Sequence, residues 1–393
     1  MTPAAPGSLL GIPIDAHLVA LLALPGMGPA RLQCLLKVEP NPAQLWHRLG
    51  RGWPGSRPPI PDVVVKADQI WTRWVEGARE LDLDEVWGRL ERHAIGATIL
   101  GGAAYPHRLA ADLDPPVVLF FQGRLDLIAS PLVAIVGTRR CSRYGHDVAR
   151  RMGHDLAAAG VTVVSGLAAG IDGAAHHGCL EAGGVPVGVV AAGLDIAYPR
   201  RHAQLHRDVA RQGVLLGEVP PGVAPDRWRF PARNRIIAAL ADAVVVVESG
   251  LTGGSLHTVA EALRRDLPVL AVPGPVGAPS SAGTNRLLAE GAGLVTNADD
   301  VLLVIGRTPA DLSGRAAAVP VPEGVEGRVL ELVPWRAVSI DDVCARSGLP
   351  VREALDVIDR LIMAGHLART GGFLERALAP TESSEQSEPT GPQ

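Results

Sequence analysis

The chain has almost no lysine, a bias that is explained first by a GC-rich genome and that also bears on possible phosphate partners. Only Lys37 and Lys66 stand among 37 basic residues, so nearly all positive charge is arginine, whose planar guanidinium suits phosphate. The 41 acidic residues outnumber the basic ones, and the formal charge is −4. A chain that is basic throughout is therefore excluded, and any nucleic-acid site must be a local cluster.

Closely spaced cysteines, a leader peptide and long apolar runs are also missing. The four cysteines are far apart without a CxxC pair, which predicts neither a zinc site nor a redox pair and fits a reduced, cytoplasmic protein. Residues 1–18 lack a basic region followed by a long apolar one, so we expect no signal peptide. Apolar runs such as 243–247 have strand length, so we expect no membrane span.

The length of 393 residues predicts two or three domains, and the 47% of hydrophobic residues are enough for a sizeable core. Residues 1–92 predict a small helical domain (SAM-like or helix-hairpin-helix) with its hairpin turn at 25–28, a loop at 40–61 and core tryptophans at 71, 74 and 87. The remaining segments are predicted as a Rossmann-like domain (93–305), a linker (306–324), a winged-helix domain (325–377) and a disordered acidic tail (378–393).

In the middle domain, short β-branched runs alternate with alanine-rich helical stretches. Strands with unbroken apolar character are typical of a parallel sheet that is covered on both faces. The sequence therefore predicts an α/β fold with a Rossmann-like, doubly wound parallel sheet, and strands at 132–136, 161–164, 186–191, 214–217, 243–248, 268–272 and 293–295.

Glycine, hydroxyl and arginine residues stand at nearly every turn from a strand to a helix. In an open parallel sheet these turns share the edge where ligands bind. Residues 137–143 and 165–176 can offer backbone N–H groups to an anion, although each can also be a tight, capped turn. Neither segment is a GxGxxG or a Walker loop, and residues 250–258 and 283–288 are weak signals by themselves.

Residues 226–235 form the most unusual segment, with four arginines, Trp228, Phe230 and Asn234 within ten positions. Arginine for the phosphates and an aromatic face for the bases are typical of single-strand binding. The alternative is a solvated basic loop with one aromatic residue in the core. The predicted recognition helix at 351–363 carries two basic and three acidic residues, which favours protein interaction or packing over reading of duplex DNA.

Six motifs, in order along the chain, resemble the DNA-processing protein A (DprA, or Smf) family. They are Ala134–Arg139, Ser165–Asp172 with Ala175-His176, Phe230–Ala238, Gly254–Leu256 with Thr258, Val272–Gly274 and Asn285–Leu288, and an upstream segment, Tyr105–Gly123, is similar as well. The resemblance implies a dimeric protein that binds single-stranded DNA, protects incoming strands in natural transformation and loads the RecA recombinase. It implies no catalysis, cofactor or metal.

Carried over by motif, the resemblance implies that Arg139 holds phosphate and that the segment 230–235 lies along the DNA. Two positions depart from the family: Ala169 stands where relatives often have Lys or Arg, and His257 where they usually have Ile. Arg200 and Arg201 are candidates to replace the missing cation. Combined with the turns above, the predicted DNA site comprises Gly137, Thr138, Arg139, Arg143, Ser165, Gly166, Trp228, Phe230, Arg233, Asn234, Arg235, Gly254, Ser255 and Arg286.

Two other hypotheses remain at this stage. Residues 253–261 partly resemble the PGGxGTxxE loop of nucleoside-monophosphate phosphoribohydrolases, in which Glu261 and an arginine would act on a ribosyl bond. Against this, Gly253 replaces the proline and His257 replaces the last glycine of that loop. The second hypothesis is a scaffold that binds only proteins, through the winged helix and the tail.

Overall fold

The structure is a computed structural model that describes residues 14–53, 67–128, 131–307, 322–334 and 337–376. None of the helices in these ranges is long and apolar enough to cross a membrane. The predicted acidic tail lies outside the described residues, as does most of the predicted linker.

The N-terminal part is helical, and its elements are α1 (Ile14–Ala23), α2 (Pro29–Val38), α3 (Pro42–Gly50), α4 (Ala67–Glu80) and α5 (Leu83–Arg92). Trp74 is fully buried, and its indole N–H donates to the Pro25 carbonyl in the predicted hairpin turn at 3.0 Å. The prediction of a loop over 40–61 is wrong at α3. The Asn41 side chain caps this helix by accepting the Ala43 and Gln44 N–H groups, and its apolar face is buried.

A nine-stranded sheet dominates the described part of the chain. Its strands are β1 (Gly96–Ile99), β2 (Val118–Gly123), β3 (Leu132–Val136), β4 (Thr162–Ser165), β5 (Pro186–Val189), β6 (Val214–Gly217), β7 (Ala243–Val246), β8 (Val269–Ala271) and β9 (Gly293–Leu294). The order across the sheet is β1-β2-β6-β5-β4-β3-β7-β8-β9. From β6 to β9 all neighbours are parallel, which confirms the predicted Rossmann-like fold, while β1 and β2 add an antiparallel edge that the sequence analysis did not predict.

Helices cover the sheet and connect its parallel strands. They are α6 (His107–Ala110), α7 (Arg143–Ala158), α8 (Ile171–Glu181), α9 (Ala203–Gln212), α10 (Arg229–Leu240), α11 (Ser255–Leu263), α12 (Ala282–Ala289) and α13 (Ala298–Val304). All five residues of β3 are buried, because the sheet is covered on both faces at its centre. The chain reverses its direction of winding between β3 and β7, and the Thr138 N–H donates to the Glu248 carbonyl there at 2.7 Å.

The C-terminal part is a winged-helix domain, as predicted. It contains α14 (Gly324–Leu332), β10 (Val338–Ser339), α15 (Ile340–Ser347), α16 (Val351–Met363), β11 (Leu367–Thr370) and β12 (Phe373–Arg376). The Ser339 hydroxyl accepts the Asp342 N–H at 3.1 Å and caps α15. Strands β11 and β12 form the wing.

Candidate nucleic-acid interface

A groove of about 450 Å³ opens at the carboxyl ends of β4 and β5. Its polar wall carries three guanidinium groups, those of Arg139, Arg140 and Arg201. None of the three has an ion-pair partner among the described residues, and no acidic residue of the described chain lines the groove. Unpaired guanidinium groups in a concave site are suited to bind phosphate.

Aromatic rings form the other wall. The Arg139 guanidinium carbon lies 4.6 Å from the centre of the Phe230 ring, and the Tyr198 ring lies 5.5 Å from the same ring at an angle of 47°. Phe230 is half-buried at the start of α10, whereas Tyr198 is exposed on the loop after β5. A cation over one ring, with a second ring tilted beside it, can receive a phosphate and a base side by side.

The floor of the groove is a tight loop, residues 166–170, that joins β4 to α8. Leu167 and Gly170 have positive φ angles of 53° and 79°. A Cβ atom on Gly170 would collide with the Thr138 carbonyl, so the close approach of the two loops requires glycine. Gly170 is the N-cap residue of α8, and Asp172 stands in the first turn of that helix.

Asp172 holds the loop from inside. Its Oδ2 accepts the Gly166 N–H at 3.2 Å and the Ala168 N–H at 3.4 Å. Burial raises the pKa of the Asp172 carboxyl, and the nearby positive charge of Arg233 opposes that rise. The loop is therefore held in a fixed shape by a buried group that does not reach the groove.

Three predicted site residues, Arg233, Asn234 and Arg235, are buried on α10 and do not line the groove. The Arg233 guanidinium donates to the Gly166 carbonyl at 2.9 Å and to the Val189 carbonyl, and burial lowers its pKa to about 10. The prediction that Arg233 and Arg235 contact the DNA is therefore wrong for their position in the fold, because both side chains are buried beside the groove and not in it.

Arg235 contacts two carboxylates, those of Glu218 at 2.7 Å and Asp114 at 3.1 Å. Burial raises the Glu218 pKa to about 7, although the Arg235 charge opposes this. The pair fastens α10 to the end of β6 and to the segment before β2. Nε and Nη2 of Arg235 face these internal carboxylates and not the groove.

Other predicted site residues lie away from the groove. Arg143 lines a second cavity and lies 3.6 Å from Asp147, while the exposed Arg286 pairs with Glu290 at 2.7 Å. Ser165 is fully buried, and its hydroxyl donates to a carbonyl of β3.

The remaining predicted residues, Trp228, Gly254 and Ser255, contact neighbouring protein groups outside the groove. Trp228 faces the N-terminal hairpin near Met27, and the Arg229 guanidinium lies 4.5 Å from its ring centre. The Gly254 carbonyl accepts from the Asn234 amide, and the Ser255 hydroxyl bonds to that of Ser249.

From the predicted set, the groove itself contains Arg139, Gly166 and Phe230, with Gly137 and Thr138 directly before Arg139. The sequence analysis did not predict a role for Tyr198. A tyrosine beside a proline on the loop after a predicted strand, in a chain with three tyrosines, was the available signal. Ala169 lines the groove as well, and Arg201 supplies a cation on the same wall.

The acid of the phosphoribohydrolase hypothesis is not in the groove. Glu261 lies on α11, where its carboxylate contacts Arg264 at 3.1 Å and Arg265 at 2.6 Å. Arg265 in turn contacts Asp112 at 2.7 Å. A carboxylate held by two guanidinium groups is poorly placed to act on a ribosyl bond, so this alternative is not favoured.

Comparison with known proteins identifies the family. Residues 97–306 match the family model described as DNA recombination-mediator protein A, and residues 313–372 match the DprA winged helix domain. The chain belongs to the DprA family. The resemblance seen in the six sequence motifs is thereby confirmed.

Individual relatives agree with this assignment. The chain is 45% identical over 257 residues to the putative DNA processing protein DprA of Mycobacterium tuberculosis, covering 64% of this chain and 66% of that protein, slightly under two thirds of its length. It is 39% identical to protein Smf of Escherichia coli, over 69% of this chain and 74% of that one. The X-ray structure of DprA from Streptococcus pneumoniae aligns with a TM-score of 0.61 and 30% identity, covering 73% of this chain and 97% of that chain.

Proposed function

We propose that the groove binds single-stranded DNA without strong sequence preference. The observation that carries this proposal is the set of three unpaired arginines beside the Phe230 and Tyr198 rings, in a groove lined by no acidic residue of the described chain. Phosphates would lie on the guanidinium groups and bases on the rings. Duplex DNA keeps its base faces stacked inside, so the aromatic wall favours single strands.

The finer roles are part of the same proposal, and membership of the family supports them. The chain would act as a cytoplasmic homodimer, protect incoming strands during natural transformation and load RecA onto them, without catalysis or a cofactor. Among the described residues, no carboxylate, cysteine, serine or threonine lines the groove, which supports binding over chemistry. A strand-exchange assay tests the loading of RecA, and light scattering of the purified protein tests the homodimer.

The DNA-binding proposal is tested by fluorescence anisotropy of single-stranded and duplex oligonucleotides at several salt concentrations. Arg139→Ala should lower both the affinity and the steepness of its salt dependence, because one phosphate contact and its released counterion are lost. Phe230→Ala should lower the affinity by about 1–3 kcal/mol with little change in slope, because it removes stacking and no charge.

A matched control removes one arginine elsewhere. Arg211 is exposed on α9, pairs with Asp208 at 2.9 Å and does not line the groove, so Arg211→Ala should leave affinity and slope unchanged. Equal effects of Arg139→Ala and Arg211→Ala would contradict the assignment of the groove. Failure of the wild type to bind at low salt would contradict the function itself.

A further inference from the structure

A second and larger cavity, of about 850 Å³, lies on the other side of the β3–α7 loop. Arg139 and Arg140 line the groove described above, whereas Ser142 at the end of the same loop and Arg143 at the start of α7 line this cavity. Its other walls come from α7, from the loop after β8 and from the start of α13. The volume falls within the range of small-molecule sites. The proposed DNA groove leaves this cavity without a role.

The polar centre of this cavity is Glu248, which follows β7 and is only 3% exposed. Its Oε2 accepts the Ser142 N–H at 2.8 Å. Its Oε1 has no hydrogen-bond donor within the described residues, and it is not sealed away from the cavity. A Cβ atom on Gly145 would lie too close to this carboxylate, so the glycine leaves the room that the Glu248 side chain occupies. An ionised carboxylate accepts hydrogen bonds and donates none, so a ligand that binds Glu248 must be a hydrogen-bond donor.

The rest of the lining favours a flat, partly apolar ligand. Val148 and Met152 of α7, Pro273 after β8 and Ala298 of α13 supply apolar surface, and methionine sulfur contacts aromatic rings favourably. The Tyr144 hydroxyl is already engaged, because it donates to the Pro273 carbonyl at 3.2 Å. A fully hydrated amine would lose water against these walls, whereas an aromatic heterocycle would bury its faces.

Among the nucleobases, guanine alone places two adjacent donors, N1–H and the N2 amino group, on one edge. Adenine and cytosine each place a ring-nitrogen acceptor beside their amino group, which would face the carboxylate with like partial charge. A site built on a buried polar group rejects analogues that leave the group unpaired. Glu248 therefore selects guanine by its chemistry.

The charges around the cavity limit how much phosphate the ligand can carry. Arg143 and Arg151 line it, each 3.6 Å from a carboxylate of its own helix, and either can turn to a phosphate. Asp155 and Glu375 line it too, so with Glu248 three carboxylates stand against two guanidinium groups. The lining therefore carries one more acidic than basic side chain, so each added phosphate raises the repulsion, most for a triphosphate and least for a single phosphate on Arg143 or Arg151.

We propose that this cavity is a guanine-nucleotide site, in which Glu248 accepts hydrogen bonds from the guanine edge and Arg143 or Arg151 receives one phosphate. Two sources offer this chemistry: a free guanosine monophosphate, or a guanine nucleotide within a DNA strand that crosses the β3–α7 loop from the neighbouring groove. The site does not depend on the proposed DNA function, since the free nucleotide needs no strand.

The test is calorimetric titration of the full chain with GMP, AMP and spermidine, together with anisotropy of a fluorescent 12-mer of dA and the same oligomer with one central dG. We expect at least a tenfold preference for GMP over AMP if the free nucleotide is the ligand, or for the dG oligomer if the strand is. Glu248→Gln should remove the preference in either case. Gln can still accept the Ser142 N–H, so the loop is retained.

Two further variants distinguish the possible failures. Ala278→Phe adds bulk to the wall formed by the loop after β8, keeps the Glu248 residue itself, and should also remove the guanine preference. Arg139→Ala should weaken both oligomers equally and leave GMP binding unchanged, so loss of the DNA proposal is separable from loss of this one. No guanine preference in either arm, a preference that survives Glu248→Gln, or competition by spermidine would overturn the proposal.

Discussion

Arg139 and Arg233 both belong to the predicted DNA site, and their surroundings give them opposite roles. Arg139 is exposed, stacks on Phe230 and has no ion-pair partner in the described chain. Arg233 is buried and bonded to two backbone carbonyls. The composition of residues 226–235 is unusual, so this segment could be identified from the sequence. The sequence could not show that Arg139 is exposed and Arg233 is buried, because the groups that they contact lie far away in the chain.

His176 shows how a buried titratable group makes stability depend on pH. It is fully buried on α8. Burial lowers its pKa to about 3 from the ordinary value of 6.5. Between these two pH values the unfolded chain binds a proton that the folded chain does not, so stability is full above pH 6.5 and is lost as pH falls.

We therefore expect His176→Leu to flatten the acid side of the stability profile. Between pH 6 and pH 4 the variant's free energy of unfolding should fall less steeply than that of the wild type, by about 1.4 kcal/mol per pH unit. Urea denaturation at several pH values measures this difference. The exposed His257 on α11 provides the control, and an equal flattening by His257→Leu would refute the assignment to His176.

At the scale of the element, the strands and helices of the Rossmann-like domain were predictable because their patterns are local. The strand β6 begins and ends at the predicted residues, and β3 does as well. The antiparallel strands β1 and β2 were missed, and α3 was predicted as a loop. In α3 the prolines and glycine suggested irregular structure, but Pro42 stands at the first helical turn, where proline is tolerated.

Helix α10 carries Phe230 and is held by the buried ion pair of Arg235 with Glu218, whose contribution to stability can be measured. Arg235→Met should lower the free energy of unfolding by about 3–5 kcal/mol, because Glu218 then remains buried without its cation. The double variant with Glu218→Leu should recover at least half of that loss, since no buried charge is left. Thermal and urea unfolding at pH 8 measure both values.

An exposed pair serves as the comparison for α10. Arg286→Met breaks a pair with Glu290 that is mostly in solvent, and it should cost less than about 1 kcal/mol. A double variant no more stable than Arg235→Met alone would show that the cost comes from lost packing and not from the stranded carboxylate.

At the scale of the whole molecule, the hydrophobic core does not follow the domain boundaries predicted from sequence. One cluster of buried side chains joins the N-terminal helices, through residues such as Leu21 and Trp74, to Phe120, Val190 and Leu215 of the sheet region. The winged-helix core, built around Leu361 and its neighbours, is a separate cluster. Composition and texture mark where helices give way to strands, but they do not show which apolar faces meet.

This division predicts how the chain unfolds. Scanning calorimetry should show the helical part and the sheet unfolding together in one transition and the winged helix in another, because only shared cores unfold cooperatively. Trp74→Ala should lower the free energy of unfolding of the first transition by about 3–5 kcal/mol, and Leu361→Ala should lower that of the second transition only. Hydrogen exchange assigns each transition to its residues. If Trp74→Ala released the N-terminal helices while the sheet kept its wild-type transition, the helices would be a domain of their own, and the hairpin beside Trp228 would not help to hold the DNA groove in place.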